Sequence, residues 1–205
     1  MPLKISAVEE LVNSEKGPYI EPMEINGSKT TIAGNIRLVM GSLAIFDAEL
    51  AGDREALARL LQVSEIIEWP PIGGEHDADA VSFFRQTLEG DPEIAPWLAY
   101  YVCSDDELVG SAGFMGPPQD GTAEIGYSIC VHARRKGFAK TTVELLAQMA
   151  KRENVHTLIA HVRPENAASI AVLGRVDFKL GHSVEGEDLL FIKQLNLEVP
   201  PHDAG

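Results

Sequence analysis

Alternating apolar and polar positions predict a strand in the middle of the chain, with an amphipathic helix after it. Between residues 124 and 131 apolar side chains occur at every second position, the period of a half-buried strand: Ile125, Tyr127, Ile129 and Val131. From Phe138 to about residue 152 the apolar positions fall three and four apart, which is typical of a helix with one buried face. A basic turn joins the two, and we expect the fold to be organised around this unit.

The same patterns predict the other elements in order. Before the unit they predict a strand at 35–40, a helical segment at 43–62 broken at Gly52-Asp53 with Asp53 as a cap, a loop at 69–74, a helix at 76–88, a turn region at 90–96, and strands at 97–103 and 107–114. The central strand is predicted at 122–131. After the helix they predict a strand at 156–162, a helix at 164–176, and a closing hairpin from 178–183 and 188–195. This order predicts an α+β or mixed α/β fold with a central sheet.

Three segments divide the chain. Residues 1–34 are predicted to be an N-terminal extension packed on the domain edge, broken at Gly17-Pro18 and containing a hairpin turn at Asn26-Gly27. The alternative is an unstructured leader. Residues 35–195 are predicted to form the functional domain, and 196–205 a C-terminal tail.

Composition limits the classes of partner. Acidic residues outnumber basic ones by 31 to 17, a formal net charge of −14, which argues against nucleic acid and favours cationic ligands such as amines. No apolar run predicts a membrane span and no signal peptide is visible, so we expect a cytoplasmic protein. Cys103 and Cys130 form no CxxC pair, so neither a metal site nor a disulfide is predicted. The oligomeric state is left open, with a homodimer as one possibility.

The basic turn that opens the helix has the chemistry of an anion site. Arg134, Arg135 and Lys136 precede a helix start, where unpaired N–H groups and the helix dipole favour negative charge. Gly137 and Ala139 keep side chains small where backbone must approach a phosphate. The alternative is an ordinary solvated helix end.

Two motifs resemble those of the GNAT N-acetyltransferases. Arg134, Gly137 and Ala139 match the acyl-CoA signature Gln/Arg-x-x-Gly-x-Gly/Ala, and Asn166-x-x-Ser169 matches the second motif. The usual closing Gly-Phe is replaced by Asp177-Phe178. The Trp69-Pro70-Pro71 loop and residues 124–127 are similar to the ribosomal-protein N-terminal (alanine/serine) acetyltransferase subfamily.

The resemblance implies a GNAT fold, with a central, mostly antiparallel, twisted sheet flanked by helices. It implies acetyl-CoA as acyl donor, no metal, and direct transfer to a primary amine on a small molecule or a peptide. The charge and the hydropathy predict that neither nucleic acid nor a membrane is a partner. Leu173 occupies the place of a thiolate-protonating Tyr, so that role is carried to Ser169; the alternative is a plain helix residue bonded to a carbonyl. The predicted donor-binding residues are Ile129, Cys130, Val131, Arg134, Arg135, Lys136, Gly137, Phe138, Ala139, Lys140, Asn166 and Ser169.

Glu124 is the predicted general base, because an amine acceptor must lose a proton and Glu124 lies on the organising strand upstream of the basic turn. The alternative is a solvated carboxylate. The acceptor pocket is expected within 43–90, walled by Trp69, Phe83 and Phe84, with Glu68, Glu75, His76 and Asp77 to receive a cation or simply to be solvated. His156 and His161 are interpreted as ordinary strand positions. A competing hypothesis is a GNAT-fold module that binds acyl-CoA without turnover.

Overall fold

The computed structural model of the chain describes residues 19–25, 28–74, 76–182 and 187–195. The strands are β1 Tyr19–Ile25, β2 Ser28–Ala33, β3 Ile36–Met40, β4 Ala99–Ser104, β5 Glu107–Phe114, β6 Thr122–Ile129, β7 Thr157–Val162, β8 Lys179–Leu180 and β9 Leu189–Gln194. The helices are α1 Leu43–Leu50, α2 Arg54–Leu61, α3 Ala78–Gly90, α4 Phe138–Arg152 and α5 Ala167–Arg175, with 3₁₀ turns at Pro92–Trp97 and Val131–Ala133. No helix in this part of the chain is long and apolar enough to cross a membrane.

The described strands form one nine-stranded sheet in the order β1-β2-β3-β4-β5-β6-β7-β9-β8. Neighbours are antiparallel except for β6 and β7, which are parallel. The parallel pairing runs only from Thr122↔Thr157 to Glu124↔Ile159, whereas β6 stays paired with β5 as far as Ile129↔Gly110. The sheet therefore splits beyond Glu124, and the second half of β6 lies open on its β7 side.

Helices cover the two faces of the sheet, and each face has its own core. On one face α1, α2 and α3 pack over β3, β4 and β5, around Phe46, Leu61 and Tyr101. On the other face α4 and α5 pack over β6 and β7, around Leu146 and Leu173. Because side chains alternate along a strand, β6 buries Ala123, Ile125 and Ile129 towards α4 and presents Glu124, Gly126 and Ser128 on the opposite face.

The predicted mixed α/β fold is confirmed, and local capping explains how the element bounds differ. The predicted helical break is present, because the Asp53 carboxylate accepts from the Ala56 N–H at 2.9 Å and starts α2. Asp77 caps α3 and delays it to Ala78, and Asn166 caps α5 and delays it to Ala167. The predicted turn region at 90–96 is a 3₁₀ helix. The central strand ends at Ile129 instead of 131, because the chain turns into the 3₁₀ turn at Val131.

The described part of the predicted extension belongs to the sheet. β1 pairs antiparallel with β2, and β2 with β3, so two strands are added to the edge. The predicted Asn26-Gly27 turn, residues 1–18 and the predicted tail at 196–205 lie outside the described residues. The closing hairpin is confirmed by the pairing of β8 with β9, and residues 183–186 between these strands also lie outside the described residues.

Candidate active site

A cavity of about 1050 Å³ occupies the split between β6 and β7. Its walls come from both faces of the sheet. On one side lie the first turns of α4 and α5, and on the other lie His76, Phe84 and Ser111. The cavity therefore joins the basic turn before α4 to the face covered by α1–α3, and two molecules entering from opposite sides can meet in it.

The turn before α4 has the geometry of an anion cradle. Gly137 is the N-cap with φ of +89°, a conformation that favours glycine, and no side chain caps the helix. The first bond into the turn runs from the Thr141 N–H to the Gly137 carbonyl at 3.2 Å. The N–H groups of residues 138–140 consequently have no partner within the helix, and the neighbouring cation at Arg135 is exposed.

Arg134 has a positioning role in this turn. Its Nε donates to the Ile129 carbonyl at 2.9 Å, and its Nη2 donates to the Ile72 carbonyl at 3.3 Å. The guanidinium thus ties the end of β6 to the loop before α3 while still lining the cavity. Loop and strand are in close contact, since a Cβ on Gly74 would lie 2.7 Å from the Ser128 hydroxyl.

The structure brings most of the predicted donor-binding residues together at the cavity. Those that line it are Ile129, Val131, Arg134, Arg135, Gly137, Phe138, Ala139, Lys140, Asn166 and Ser169. Lys136 lies outside it, 6.0 Å from the centre of the Phe138 ring and beside a smaller depression near Glu107. The structure gives the positions of these residues around the cavity, and their contacts with a bound donor stay predictions.

Cys130 is directed away from the cavity. Its thiol donates to the Glu68 carbonyl at 3.0 Å, and its N–H donates to the Val109 carbonyl at 2.9 Å. Burial raises the pKa of the thiol to about 12, so it is not a nucleophile at neutral pH. The Val131 N–H also has an acceptor, the Glu68 carboxylate at 3.3 Å. A backbone contact to a ligand at Val131 therefore requires Glu68 to move.

The start of α5 places Asn166 and Ser169 together on the cavity wall. The Asn166 side-chain oxygen accepts from the Ser169 N–H at 3.1 Å, so it contacts backbone. Tyr127 packs against the core and lines the cavity, and its hydroxyl donates to the Ser169 carbonyl at 3.4 Å. Burial raises the pKa of Tyr127. Leu173, in the place of the family Tyr, is fully buried.

Glu124 is paired with a histidine. The His161 Nδ1 lies 2.8 Å from Glu124 Oε1, and the side chains are 44% and 33% exposed respectively. His161 is the member of the pair that lines the cavity. It was interpreted from the sequence as an ordinary strand position, because nothing local shows that β7 lies beside β6 in this register. The pair puts an ionisable group at the mouth of the split.

The predicted acceptor residues occupy different positions. Phe84 and His76 line the cavity, whereas Phe83 is 62% exposed and Trp69 packs on Tyr101 with ring centres 5.5 Å apart. The Asp77 carboxylate caps α3 and accepts from the Ala80 N–H, so it serves the helix. Glu75 lies outside the described residues.

Glu68 is bound to the protein by a histidine bridge. His132 Nδ1 lies 3.2 Å from Glu68, and its Nε2 contacts Glu107 on β5. The hydrogen bond from His132 is the main reason that the pKa of Glu68 is lowered. The bridge ties the 3₁₀ turn before the basic turn to the loop at Glu68 and to β5. Across the described residues, no group of three or more potential ligands could hold a metal ion.

A second carboxylate–histidine pair adjoins the cavity through His76, and sequence reasoning missed part of it. Glu49 on α1 contacts His76, Trp69 and Tyr101. A signal was available for Glu49, because it stands on the helix four positions after buried Ile45. Tyr101 gave none, since it lies in a strand that is buried throughout.

Comparison with known proteins identifies the protein family. The acetyltransferase (GNAT) domain family matches residues 46–179, well over half of the chain. The chain belongs to this family and is an N-acetyltransferase.

One curated relative is similar to this chain in sequence, and two solved structures are similar to it in fold. The chain is 28% identical over 151 residues to "Uncharacterized N-acetyltransferase YjdG" of Bacillus subtilis, covering 72% of this chain and 88% of that protein. Its fold is similar to the ribosomal-protein-S5-alanine acetyltransferase of Vibrio fischeri, with a TM-score of 0.58, 18% identity, and coverage of 83% and 99% of the two chains. It is also similar to the ribosomal L7/L12 α-N-protein acetyltransferase RimL in complex with coenzyme A, with a TM-score of 0.55, 18% identity, and coverage of 80% and 96%.

Proposed function

We propose that this protein transfers an acetyl group from acetyl-CoA directly to a primary amine. The observation that carries the proposal is the continuous cavity from the basic turn before α4, through the split, to the histidine-lined face beyond it. Acetyl-CoA, when bound, supplies an activated acyl carbon. The amine nitrogen attacks this carbon, an amide bond forms, the C–S bond breaks, and the thiolate takes up a proton.

The donor would lie along the α4–α5 side of the cavity. Its pyrophosphate fits the N–H groups at the start of α4, with Arg135 and Lys140 beside them. The amide-rich arm fits the open edge of β6 in the split, because a strand edge offers backbone groups to an added chain. This edge lies upstream of the predicted Ile129–Val131, where the Ile129 carbonyl, the Cys130 N–H and the Val131 N–H already have partners.

The proton of the acceptor ammonium would leave through the Glu124–His161 pair. His161 lines the cavity, and its Nδ1 lies 2.8 Å from Glu124 Oε1, so the carboxylate orients the ring. Two routes follow: Glu124 takes the proton directly or through water, or it orients His161, which takes it. On the other side of the split, the Ser169 hydroxyl is our candidate for returning a proton to the thiolate.

The acceptor is a primary amine on a small molecule or a peptide, taken up from the face covered by α1–α3. The net charge of −14 favours an ammonium ligand. The structural neighbours act on ribosomal proteins, but this chain shares only their fold, so their substrates are not assigned to it. We place the reaction in the cytoplasm.

The test is release of CoA thiol from acetyl-CoA with a panel of primary amines, with acetylated product identified by mass. Amine-dependent thiol release is expected. Saturable CoA binding with no turnover on any amine would favour the alternative of an acyl-CoA-binding module. Leu173 is consistent with that alternative, because it cannot donate a proton to the thiolate. Absence of CoA binding would reject both.

A further inference from the structure

Glu49 has a buried carboxylate that three neighbouring side chains contact as hydrogen-bond donors. Its side chain is 11% exposed, and it accepts from Trp69 Nε1 at 2.7 Å, from His76 Nε2 at 3.1 Å, and from the Tyr101 hydroxyl. Burial raises the pKa of Glu49, but the interactions of the carboxylate with His76, Tyr101 and Trp69 outweigh burial, so the pKa of Glu49 is lowered on balance. Glu49 is therefore ionised and accepts from all three groups.

This arrangement fixes the tautomer of His76. An ionised carboxylate takes the hydrogen on Nε2, so in the neutral ring the lone pair is on Nδ1. His76 is only 6% exposed, and it lines the cavity. The structure shows no protein partner for Nδ1 in the part of the chain that it describes. The neutral ring thus carries a hydrogen-bond acceptor, on a side chain that lines the cavity and contacts a negative charge through its other nitrogen.

The position of His76 relative to the split follows from the sheet register. Its ring stands edge-on to Tyr101, with centres 5.4 Å apart. Tyr101 is paired with Ser111, and Ser111 is paired with Ser128 on β6. Two strand spacings separate Tyr101 from β6, a distance of about 10 Å. Ser111 and Ser128 also line the cavity, so a polar-walled arm runs across the sheet from the split to His76.

We propose that the Glu49–His76 pair is a recognition site for the acceptor, and that the acceptor is a small molecule with a second hydrogen-bond donor, an ammonium or hydroxyl group, remote from the amine that is acetylated. The inference rests on the proposed function, since it assigns the acceptor to the cavity. His76 contacts the second donor, and Glu49 is a positioning residue that sets the tautomer. A monoamine of the same length would fill the arm but leave Nδ1 without a partner, which costs binding.

The experiment compares acceptors that differ only at the far end. The probes are butylamine and hexylamine, the diamines of the same chain lengths, and the corresponding amino alcohols. The diamines and amino alcohols are the two-ended probes, because they carry a second donor at the far end. In the wild-type enzyme the better two-ended probe should have a kcat/KM about tenfold or more above that of the monoamine of the same length, mainly through a lower KM. Equal kcat/KM for all three kinds of probe would overturn the inference while leaving the proposed function intact.

Two variants assign the effect to His76. His76→Phe keeps an aromatic ring beside Trp69 and Tyr101 but removes the acceptor, so the two-ended preference should fall to about one. His76→Gln keeps a donor towards Glu49 and covers the case in which the Phe variant fails to fold. His182→Phe makes the same change at an exposed histidine outside the cavity lining and should keep the wild-type preference. An unchanged preference in both His76 variants would contradict the proposal.

Histidine nitrogen NMR gives a readout that does not depend on turnover. With CoA bound, the hexane diamine should shift the His76 Nδ1 resonance saturably, and hexylamine should not. Glu49→Gln should change the His76 tautomer signals before any amine is added, as a positioning role requires. If no amine releases thiol, the proposed function fails, and the titration alone decides the inference: a saturable shift supports it, and an unchanged His76 signal rejects it.

Discussion

Glu124 and His161 join β6 to β7 where the parallel pairing of the two strands ends, with Oε1 and Nδ1 2.8 Å apart. Glu124 is paired with Ile159 in the parallel register, so His161 lies two residues further along on the same face, towards the cavity. A carboxylate behind a histidine holds the ring in one orientation. The predicted base therefore stands one residue behind the cavity wall.

Glu124→Gln should lower kcat/KM by about 100- to 10,000-fold near neutral pH, because it removes either the base or the group that orients it. Part of the loss should return at higher pH, where more acceptor is already deprotonated. The measurement is the pH–rate profile of both proteins on the best amine, with CoA affinity as the control that should stay constant. A variant-to-wild-type ratio that is flat across pH would exclude a role in proton removal.

His161→Gln separates the two routes of proton transfer. If Glu124 acts through His161, this variant should lose as much kcat/KM as Glu124→Gln, and the double variant should lose no more than either, since residues that act as one unit are not additive. If Glu124 acts directly or through water, His161→Gln should retain most activity. Rates for the single and double variants at one pH decide between them.

The local pattern was sufficient for the strand–turn–helix unit, but not for the residues that face it across the cavity. Periodicity and small residues at the turn depend on neighbours in sequence, so Gly137 and the start of α4 were predicted within a residue or so. The Glu124–His161 pair depends on which strands adjoin and in what register, and this is set by packing between distant segments. The same holds for Tyr101 against Glu49, 52 residues apart in sequence.

Ser169→Ala should lower kcat with little change in CoA affinity, because the hydroxyl is our candidate for protonating the thiolate while the Asn166 cap holds the backbone through the Ser169 N–H. Single-turnover rates with a fixed amine measure the chemical step. Tyr127→Phe is the companion variant, since the Tyr127 hydroxyl contacts the Ser169 carbonyl. If Ser169→Ala is silent and Tyr127→Phe is not, the proton comes from the tyrosine.

Gly137→Asp should abolish CoA binding, because it adds bulk and negative charge where the N–H groups of α4 meet the phosphates. The positive φ of Gly137 adds backbone strain as well. Gly34→Asp is the matched control: Gly34 has φ of +57°, open space around its Cβ position, and no place in the cavity lining. Calorimetric CoA titration of both should show loss only in Gly137→Asp. Equal affinity would reject the phosphate site.

Acid should weaken the fold partly through Glu49. Because the pKa of Glu49 is lowered from its ordinary 4.5 in the folded protein, its contribution to stability is fully present above that value and is lost as the pH falls through the lower folded value. Glu49→Gln should thus be less stable than wild type at neutral pH, and the difference should shrink in acid. Urea unfolding at a series of pH values measures it. Glu93→Gln, at an exposed site outside the cluster, should show no such convergence.

Asp177→Gly should stabilise the protein, and the prediction concerns the position where the second family motif usually has glycine. The structure places Asp177 at φ of +63°, in the left-handed region that favours glycine, so the backbone of this aspartate is strained. Asp177 is exposed, and its carboxylate shows no hydrogen bond within the described residues, so the substitution removes strain without removing a contact. We expect a gain of about 1 kcal/mol in the free energy of unfolding.

Asp105→Gly is the comparison, because Asp105 has φ of +48° but accepts from the Asn35 side chain at 3.1 Å, so its gain in the free energy of unfolding should be smaller. Denaturant midpoints of both variants test this, and a loss of stability in Asp177→Gly would show that the aspartate stabilises the turn in some other way.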